Sequence, residues 1–190
     1  KLPEELRGKS LYRNGPARVV LGGERYTHWF DGDGMIQCFQ IEDGRVSWRN
    51  RWVRSEKFKA ELAAGESLFG VFNNPMTADP SVVGVEYNTA NTHIIEHHGK
   101  LLALMEGALP TEIEHRSLNT LGTVNFDGQI DGPVTAHPKF DYDSGEMIFS
   151  AGWDYAQLVG DWLKLTHDFT IYPEITNSPS DNFIFESALG

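Results

Sequence analysis

The side chains best suited to bind a metal or move a proton are seven histidines: His28, His93, His97, His98, His115, His137 and His167. Two of them stand in frames of their own. His137 lies in Thr-Ala-His-Pro-Lys (135–139) and His167 in Leu-Thr-His-Asp-Phe (165–169). A following proline steers His137 away from helical backbone towards an extended one, which fixes the direction of its imidazole. His167 opens a strand-like segment. Neither sits in the His-x-x-x-His helix pattern of a zinc protease. An isolated imidazole in a β-rich chain is more often a surface residue or a hydrogen-bonded core group than a ligand, and spacing alone does not join these two.

The other histidines divide in the same way. His93 and His97 fall on one face of a strand with period two, and with His98 they could take a divalent metal. A solvated strand edge and turn is the plainer reading and the preferred one. His28 opens His-Trp-Phe-Asp-Gly-Asp-Gly-Met (28–35). Its Asp-Gly-Asp-Gly has the look of a calcium loop but lacks the spaced acidic ligands and closing glutamate of an EF-hand. A tight turn between two strands is preferred.

The elements that would position these groups are short strands between turns. Asn14-Gly15, Asp31-Gly32, Asp33-Gly34, Asp43-Gly44, Asp127-Gly128 and Asp131-Gly132 are pairs that supply the positive φ of hairpin turns. Strands are expected over 17–21, 35–42, 45–53, 92–98, 100–106 and 146–150, with a hairpin turning at His98-Gly99. Only Ser55 to Ala64 has helical character, with Phe58 and Leu62 four residues apart. Residues 176–182 read as loop and 183–185 as a closing strand. The class is all-β: a sandwich, barrel or propeller, with no clean repeat to choose among them.

Composition narrows the function. The chain has 190 residues, 40% hydrophobic, enough for a buried core. A formal net charge of -11 repels a phosphate backbone and speaks against nucleic acid. The single cysteine, Cys38, cannot form an internal disulfide and favours a reducing, cytoplasmic setting. No apolar run approaches a membrane span, and residues 1–9 lack the apolar core of a secretion signal.

Seven motifs taken together resemble a known family. They are Leu-Tyr-Arg-Asn-Gly-Pro (11–16), His-Trp-Phe-Asp-Gly-Asp-Gly-Met (28–35), Ala-Asn-Thr (90–92), Leu-Leu-Ala-Leu-Met-Glu-Gly (101–107), Leu-Asn-Thr-Leu-Gly (118–122), Thr-Ala-His-Pro-Lys (135–139) and His-Asp-Phe (167–169). They stand in the order seen in carotenoid cleavage oxygenases, which include apocarotenoid and lignostilbene dioxygenases. The resemblance runs from residue 2 to about residue 150, with His167 as a further anchor. It implies a seven-bladed β-propeller with one Fe(II) held by four histidines near the axis. His137 and His167 would be two of the four. Glu106 would accept a ring N–H from a ligand histidine, His167 first, and fix its tautomer. Thr92 would lie near an open coordination position. Four neutral imidazoles suit Fe(II) and leave room for dioxygen. Phe30, Phe72, Met105 and Trp29 would line an apolar substrate cavity, each with core packing as the plainer alternative.

The resemblance implies oxidative cleavage of a C=C bond in a conjugated carotenoid or apocarotenoid to two carbonyl products. Stilbene-cleaving members use a tyrosine and a lysine on the substrate 4-hydroxyl, and Phe72 and Met105 stand at those places here, which tilts the choice towards carotenoids. The alternatives are a stilbene dioxygenase of the same family, an inactive propeller module, and a metal hydrolase such as a zinc lactonase. The family also implies peripheral contact with membranes, although no amphipathic helix with a basic face is visible. Members are two to three times as long as this chain, and the interval from His137 to His167 is short, as if a hairpin were missing around residues 153–163. Residues 1–190 are therefore expected to be the N-terminal blades of one incomplete propeller domain, poorly matched after about residue 150, with the other two iron ligands elsewhere.

Overall fold

A computed structural model describes residues 2–26, 28–71, 75–130, 132–141, 143, 145–151, 156–159, 162–165, 167–172 and 184–187; beyond residue 150 it is the backbone that is described. Strands dominate. They are β1 (Ser10–Arg13), β2 (Pro16–Arg18), β3 (Val20–Leu21), β4 (Glu24–Arg25), β5 (Asp33–Glu42), β6 (Arg45–Trp52), β7 (His93–His97), β8 (Lys100–Leu104), β9 (Thr111–Ile113), β10 (Thr120–Thr123), β11 (Lys139–Asp141), β12 (Glu146–Ala151), β13 (Ala156–Val159), β14 (Trp162–Leu165), β15 (His167–Tyr172) and β16 (Ile184–Ser187). Helix α1 spans Glu56–Ala64.

Three sheets have four strands each. In the first, β5 pairs with β1, β2 and β6; the second is the meander β7-β8-β9-β10; the third runs β11-β12-β15-β16. The pairings are antiparallel. The chain divides into two compact units, Lys1–Met105 with Pro110–Val124, and Glu106–Leu109 with Asn125–Gly190.

The core of the first unit lies between the first two sheets. Ile36 and Cys38 of β5 meet Leu101 and Ala103 of β8 and Ile113 of β9, with Val53, Ala90 and Leu118 closing the cluster. Alternation along β5 follows from this, since Ile36 and Cys38 face in while Met35, Gln37 and Phe39 are only part-buried. All four residues from Leu101 to Leu104 are buried. This central strand is covered on both faces and so reads as an unbroken apolar run.

Several turn pairs behave as expected. Asp43 and Gly44 have φ of 48° and 72°, and His98 and Gly99 have 46° and 77°, the paired positive angles of tight hairpins. Asp127 and Gly128 also take positive φ; Asp131 lies outside the described residues.

The Asp31-Gly-Asp-Gly34 run departs from the expected hairpin turn. Trp29–Asp31 forms a 3-10 helix, capped by His28 Nδ1 accepting from the Phe30 N–H, and β5 begins directly at Asp33. Gly34 is needed for space, not for a left-handed φ: a Cβ there would stand 2.2 Å from the Ala90 carbonyl oxygen. Asn14-Gly15 is likewise no hairpin turn. The Asn14 amide donates to the carbonyls of Ala90 and His93, at 2.8 and 2.9 Å.

Helix α1 forms where its caps dictate. Ser55 Oγ accepts from the Phe58 N–H at 3.2 Å, and Gly65 ends the helix at φ 77° with its N–H on Glu61 O. Its inner face differs from expectation. Phe58 is buried, but Leu62 is 50% exposed, and Lys57 and Glu61 turn inward instead.

The second unit is anchored by an antiparallel bridge between Ala108 and Val134. Its buried residues include Phe126, Ile130, Val134, Ala136, Met147 and Phe149. The interval suspected of lacking a hairpin carries one, β13 on β14, with Ala156 opposite Leu165. β15 begins at His167, as its frame suggests, and β16 covers the closing strand from Ile184. Residues 176–182 lie outside the described residues. Among the described residues no helix is long and apolar enough to cross a membrane.

Candidate active site

In the second unit the backbone brings Glu106 to His137. The Ala108–Val134 bridge is antiparallel, and the Gly107 N–H also donates to Val134 O at 3.2 Å. Two residues out from the bridge, Glu106 is level with Ala136, between Thr135 and His137. Val134 and Ala136 are buried while His137 is exposed, the alternation of an extended segment. Thr135 Oγ1 donates to Glu106 Oε1 at 3.1 Å and accepts from the His137 N–H at 3.1 Å. His137 Nε2 stands 3.7 Å from the same Glu106 oxygen. Glu106 was expected to serve His167 first; here it lies beside His137. The backbone of His167 opens β15, and its side chain is outside the described residues.

In the first unit, Thr92 ends a tightly held segment. Asn88 Oδ1 accepts from the Ala90 N–H at 2.9 Å, and Ala90 sits at φ 45°. The Asn91 amide donates to the carbonyls of Phe30 and Gly32, both at 2.7 Å. Thr92 N–H donates to Leu104 O, and its hydroxyl donates to Asn91 Oδ1 at 3.1 Å. The Thr92 side chain is exposed and so presented on a fixed backbone.

The residues expected to line an apolar cavity have different surroundings. Phe30 is 48% exposed and stacks on exposed Trp29, with centroids 5.9 Å apart. Met105 is buried, its sulfur accepting from the Thr89 N–H at 3.2 Å. Phe72 lies outside the described residues. His97 corrects the view of β7 as a solvated edge, because its ring is buried, edge-on to His98 at 4.2 Å. Burial, then His98, hold its pKa below the ordinary histidine value.

The residue types nevertheless fit an iron site in kind. An imidazole with a carboxylate at one ring nitrogen is the usual arrangement of a metal-ligating histidine, and its second nitrogen is left to face the metal. No group of three or more His, Cys, Asp or Glu that could hold an ion occurs among the described residues. His137 would thus be one member of a set completed elsewhere.

A buried ionic cluster escaped the sequence-based expectations. Arg18 on β2 is the register partner of Asp33 on β5, and its Nε donates to Asp33 Oδ2 at 2.6 Å. Lys57 Nζ reaches Asp33 Oδ1 at 3.3 Å and Glu61 Oε2 at 2.8 Å, and the Tyr26 hydroxyl donates to that same Glu61 oxygen. Glu61 Oε1 accepts from the Leu68 N–H at 3.1 Å. The one signal available beforehand was the Lys57–Glu61 spacing of one helical turn. This cluster ties β2, β5 and α1 together.

The strand-rich fold agrees with what comparison with known proteins shows. The chain belongs to the Retinal pigment epithelial membrane protein family, that of the carotenoid cleavage oxygenases, whose family model matches residues 1–159. Isoeugenol monooxygenase of Pseudomonas nitroreducens is 44% identical over 150 residues, covering 78% of this chain and 31% of that protein. Carotenoid 9,10(9',10')-cleavage dioxygenase 1 of Pisum sativum is 40% identical over 172 residues, covering 81% and 31%. The crystal structure of Pseudomonas brassicacearum lignostilbene dioxygenase superposes with a TM-score of 0.77 at 31% identity, over 98% of this chain and 37% of that one. The chain thus spans about a third of the length of these relatives.

Proposed function

We propose that this chain is the N-terminal part of a seven-bladed β-propeller oxygenase that binds Fe(II) and cleaves a conjugated C=C bond. The observation that carries the reading is Glu106 beside His137, in the motif order of the family. The four-stranded antiparallel meander β7-β8-β9-β10 has the form of a propeller blade.

Bound iron would supply the path by which ground-state dioxygen reacts with a closed-shell alkene. The rest falls to the chain. His137 and His167 would each offer one neutral imidazole, and Glu106 would fix the ring of a ligand histidine. By the family resemblance Thr92, on a backbone held by Asn88 and Asn91, would stand near an open coordination position. By the same resemblance, Phe30, Phe72 and Met105 would supply apolar surface to the substrate. Each alkene carbon takes one oxygen atom of O2, so the products are two carbonyl compounds and no side-chain acid or base is consumed.

Among conjugated alkenes, aryl alkenes come first, since relatives at 44% and 31% identity are named for isoeugenol and lignostilbene. A carotenoid or apocarotenoid substrate is the second reading. It is favoured by Met105, whose buried thioether cannot deprotonate a phenol.

The test uses the intact gene product loaded with Fe(II) in air and given isoeugenol, a 4-hydroxystilbene and an apocarotenal. Mass spectrometry reads the aldehydes. Aldehydes from an aryl alkene support the first ranking, and aldehydes from the apocarotenal alone reverse it. An iron-loaded protein that cleaves none of the three defeats the functional reading.

A further inference from the structure

We infer that Asn91 is a positioning residue that sets Phe30 and Thr92 against each other, an assignment that rests on the reading of those two as substrate-side residues. The Asn91 amide donates to the Phe30 carbonyl and to the Gly32 carbonyl, each at 2.7 Å. Its Oδ1 accepts from the Thr92 hydroxyl at 3.1 Å. Two carbonyls can be met only by the nitrogen end of the amide, so the oxygen end is left to face Thr92. One planar group thus joins the 3-10 helix Trp29–Asp31, which carries Phe30, to the residue just ahead of β7. Sixty-one positions separate Phe30 from Asn91.

Asn91 is itself held firmly. It is 3% exposed. On one side the Ala90 N–H donates to Asn88 Oδ1 at 2.9 Å, and the Ala90 carbonyl accepts from the Asn14 amide at 2.8 Å. On the other side the Thr92 N–H donates to Leu104 O at 2.9 Å. The Gly34 N–H donates to Thr89 O at 2.8 Å, so the two segments already run side by side, and Asn91 carries the contact on to the 3-10 turn. Phe30 is 48% exposed and Thr92 is exposed, so burial does not place them. Common replacements for Asn91 fail for separate reasons. Leucine would leave both carbonyls without this donor. Aspartate would turn a carboxylate on two carbonyl oxygens. Glutamine would bring an extra methylene into a filled space.

The experiment uses the intact gene product loaded with Fe(II). Steady-state kinetics on whichever of isoeugenol, a 4-hydroxystilbene and an apocarotenal the wild type cleaves read the Phe30 arm. The affinity of the iron for nitric oxide, measured without oxygen, reads the Thr92 arm. Asn91→Ala should raise KM about tenfold, since a displacement of about 1 Å costs up to about 100-fold, and should shift the nitric oxide affinity. A purely structural defect lowers the amount of folded enzyme, and so kcat, and leaves KM and nitric oxide affinity at their wild-type values. Two double-mutant cycles read the coupling: Asn91→Ala with Phe30→Leu in KM, and Asn91→Ala with Thr92→Val in nitric oxide affinity. In each the combined factor should fall short of the product of the single ones, because both changes act through one contact. Should Asn91→Ala not fold, Asn91→Ser takes its place in both cycles. Wild-type KM in the Asn91 variant, or factors that multiply in either cycle, overturn the assignment while the functional reading stands. A wild-type protein that cleaves none of the three probes overturns the functional reading first, and this assignment with it.

Discussion

Lys57 Nζ lies 2.8 Å from Glu61 Oε2 one turn further along α1, with 1% and 0% of the two side chains exposed. Two charges so buried stand only because each is answered, and Arg18 and Asp33 complete a set of two cations and two anions. Removing one member strands the rest. Lys57→Met should destabilise the protein by about 3–5 kcal/mol, read from denaturant unfolding of the intact gene product. A loss under about 1 kcal/mol would mean that the cluster behaves like a surface pair.

The same cluster sets a pH dependence of mixed sign. Burial raises the Glu61 carboxyl, but Lys57, Tyr26 and the Leu68 amide outweigh it and hold the pKa below the ordinary value. Its contribution is present above the unfolded value of about 4.3 and is lost as pH falls through the folded one. Burial leaves Asp33 raised despite Lys57 and Arg18, so its contribution is present below about 3.9 and lost as pH rises through its folded value. Glu61→Gln should flatten the acid limb of a stability–pH curve, and Asp33→Asn should steepen it. Parallel curves for the two variants would refute the assignment.

Tyr26 and Tyr87 are both pushed well above the ordinary phenol value, chiefly by burial and then by donating to Glu61 and Asp31. Ultraviolet titration of the folded protein should leave both protonated past the usual value of about 10. Tyr26→Phe should not reduce the absorbance step near that pH. Because a raised folded pKa gives stability that is lost as pH climbs, Tyr26 also predicts a weakening of the fold in strong alkali. Loss of part of the ordinary step in Tyr26→Phe would contradict this.

Gly34→Ala places a methyl group 2.2 Å from the Ala90 carbonyl oxygen, and that oxygen also accepts from Asn14. Backbone must move on both sides. The expected cost is about 1–3 kcal/mol, seen as a lower denaturant midpoint with an unchanged slope. Asn14→Ala, which leaves two carbonyls without their donor, should cost about as much.

What could be read from the sequence follows from how local the cause is. The Asp43-Gly44 and His98-Gly99 hairpins were legible because two adjacent residues set the backbone angles. The caps of α1 lie within one turn of its ends. Asp33 and Gly34 misled for the opposite reason: Asp33 is specified by Arg18 and Lys57, and Gly34 by Ala90, none of them near in sequence. Leu62 looked like a core residue on spacing alone, yet a buried ion pair took the inner face. The resemblance to a family named His137 and Glu106 for one site but gave Glu106 to His167; the nearness of Glu106 to His137 was not legible, since thirty residues separate them and the bridge at Ala108 and Val134 brings them together.

Cys38 is the single thiol of the chain and is 1% exposed within β5, with Tyr12 and Arg49 opposite it on either side. A sulfhydryl sealed in the middle of a sheet is a clock. Its side chain faces the cluster with Leu101, Ala103 and Ile113, so a thiol reagent reaches it when that core opens, and the rate of labelling counts those openings one molecule at a time. These 190 residues therefore carry their own reporter of how often that core opens, with no probe to be introduced.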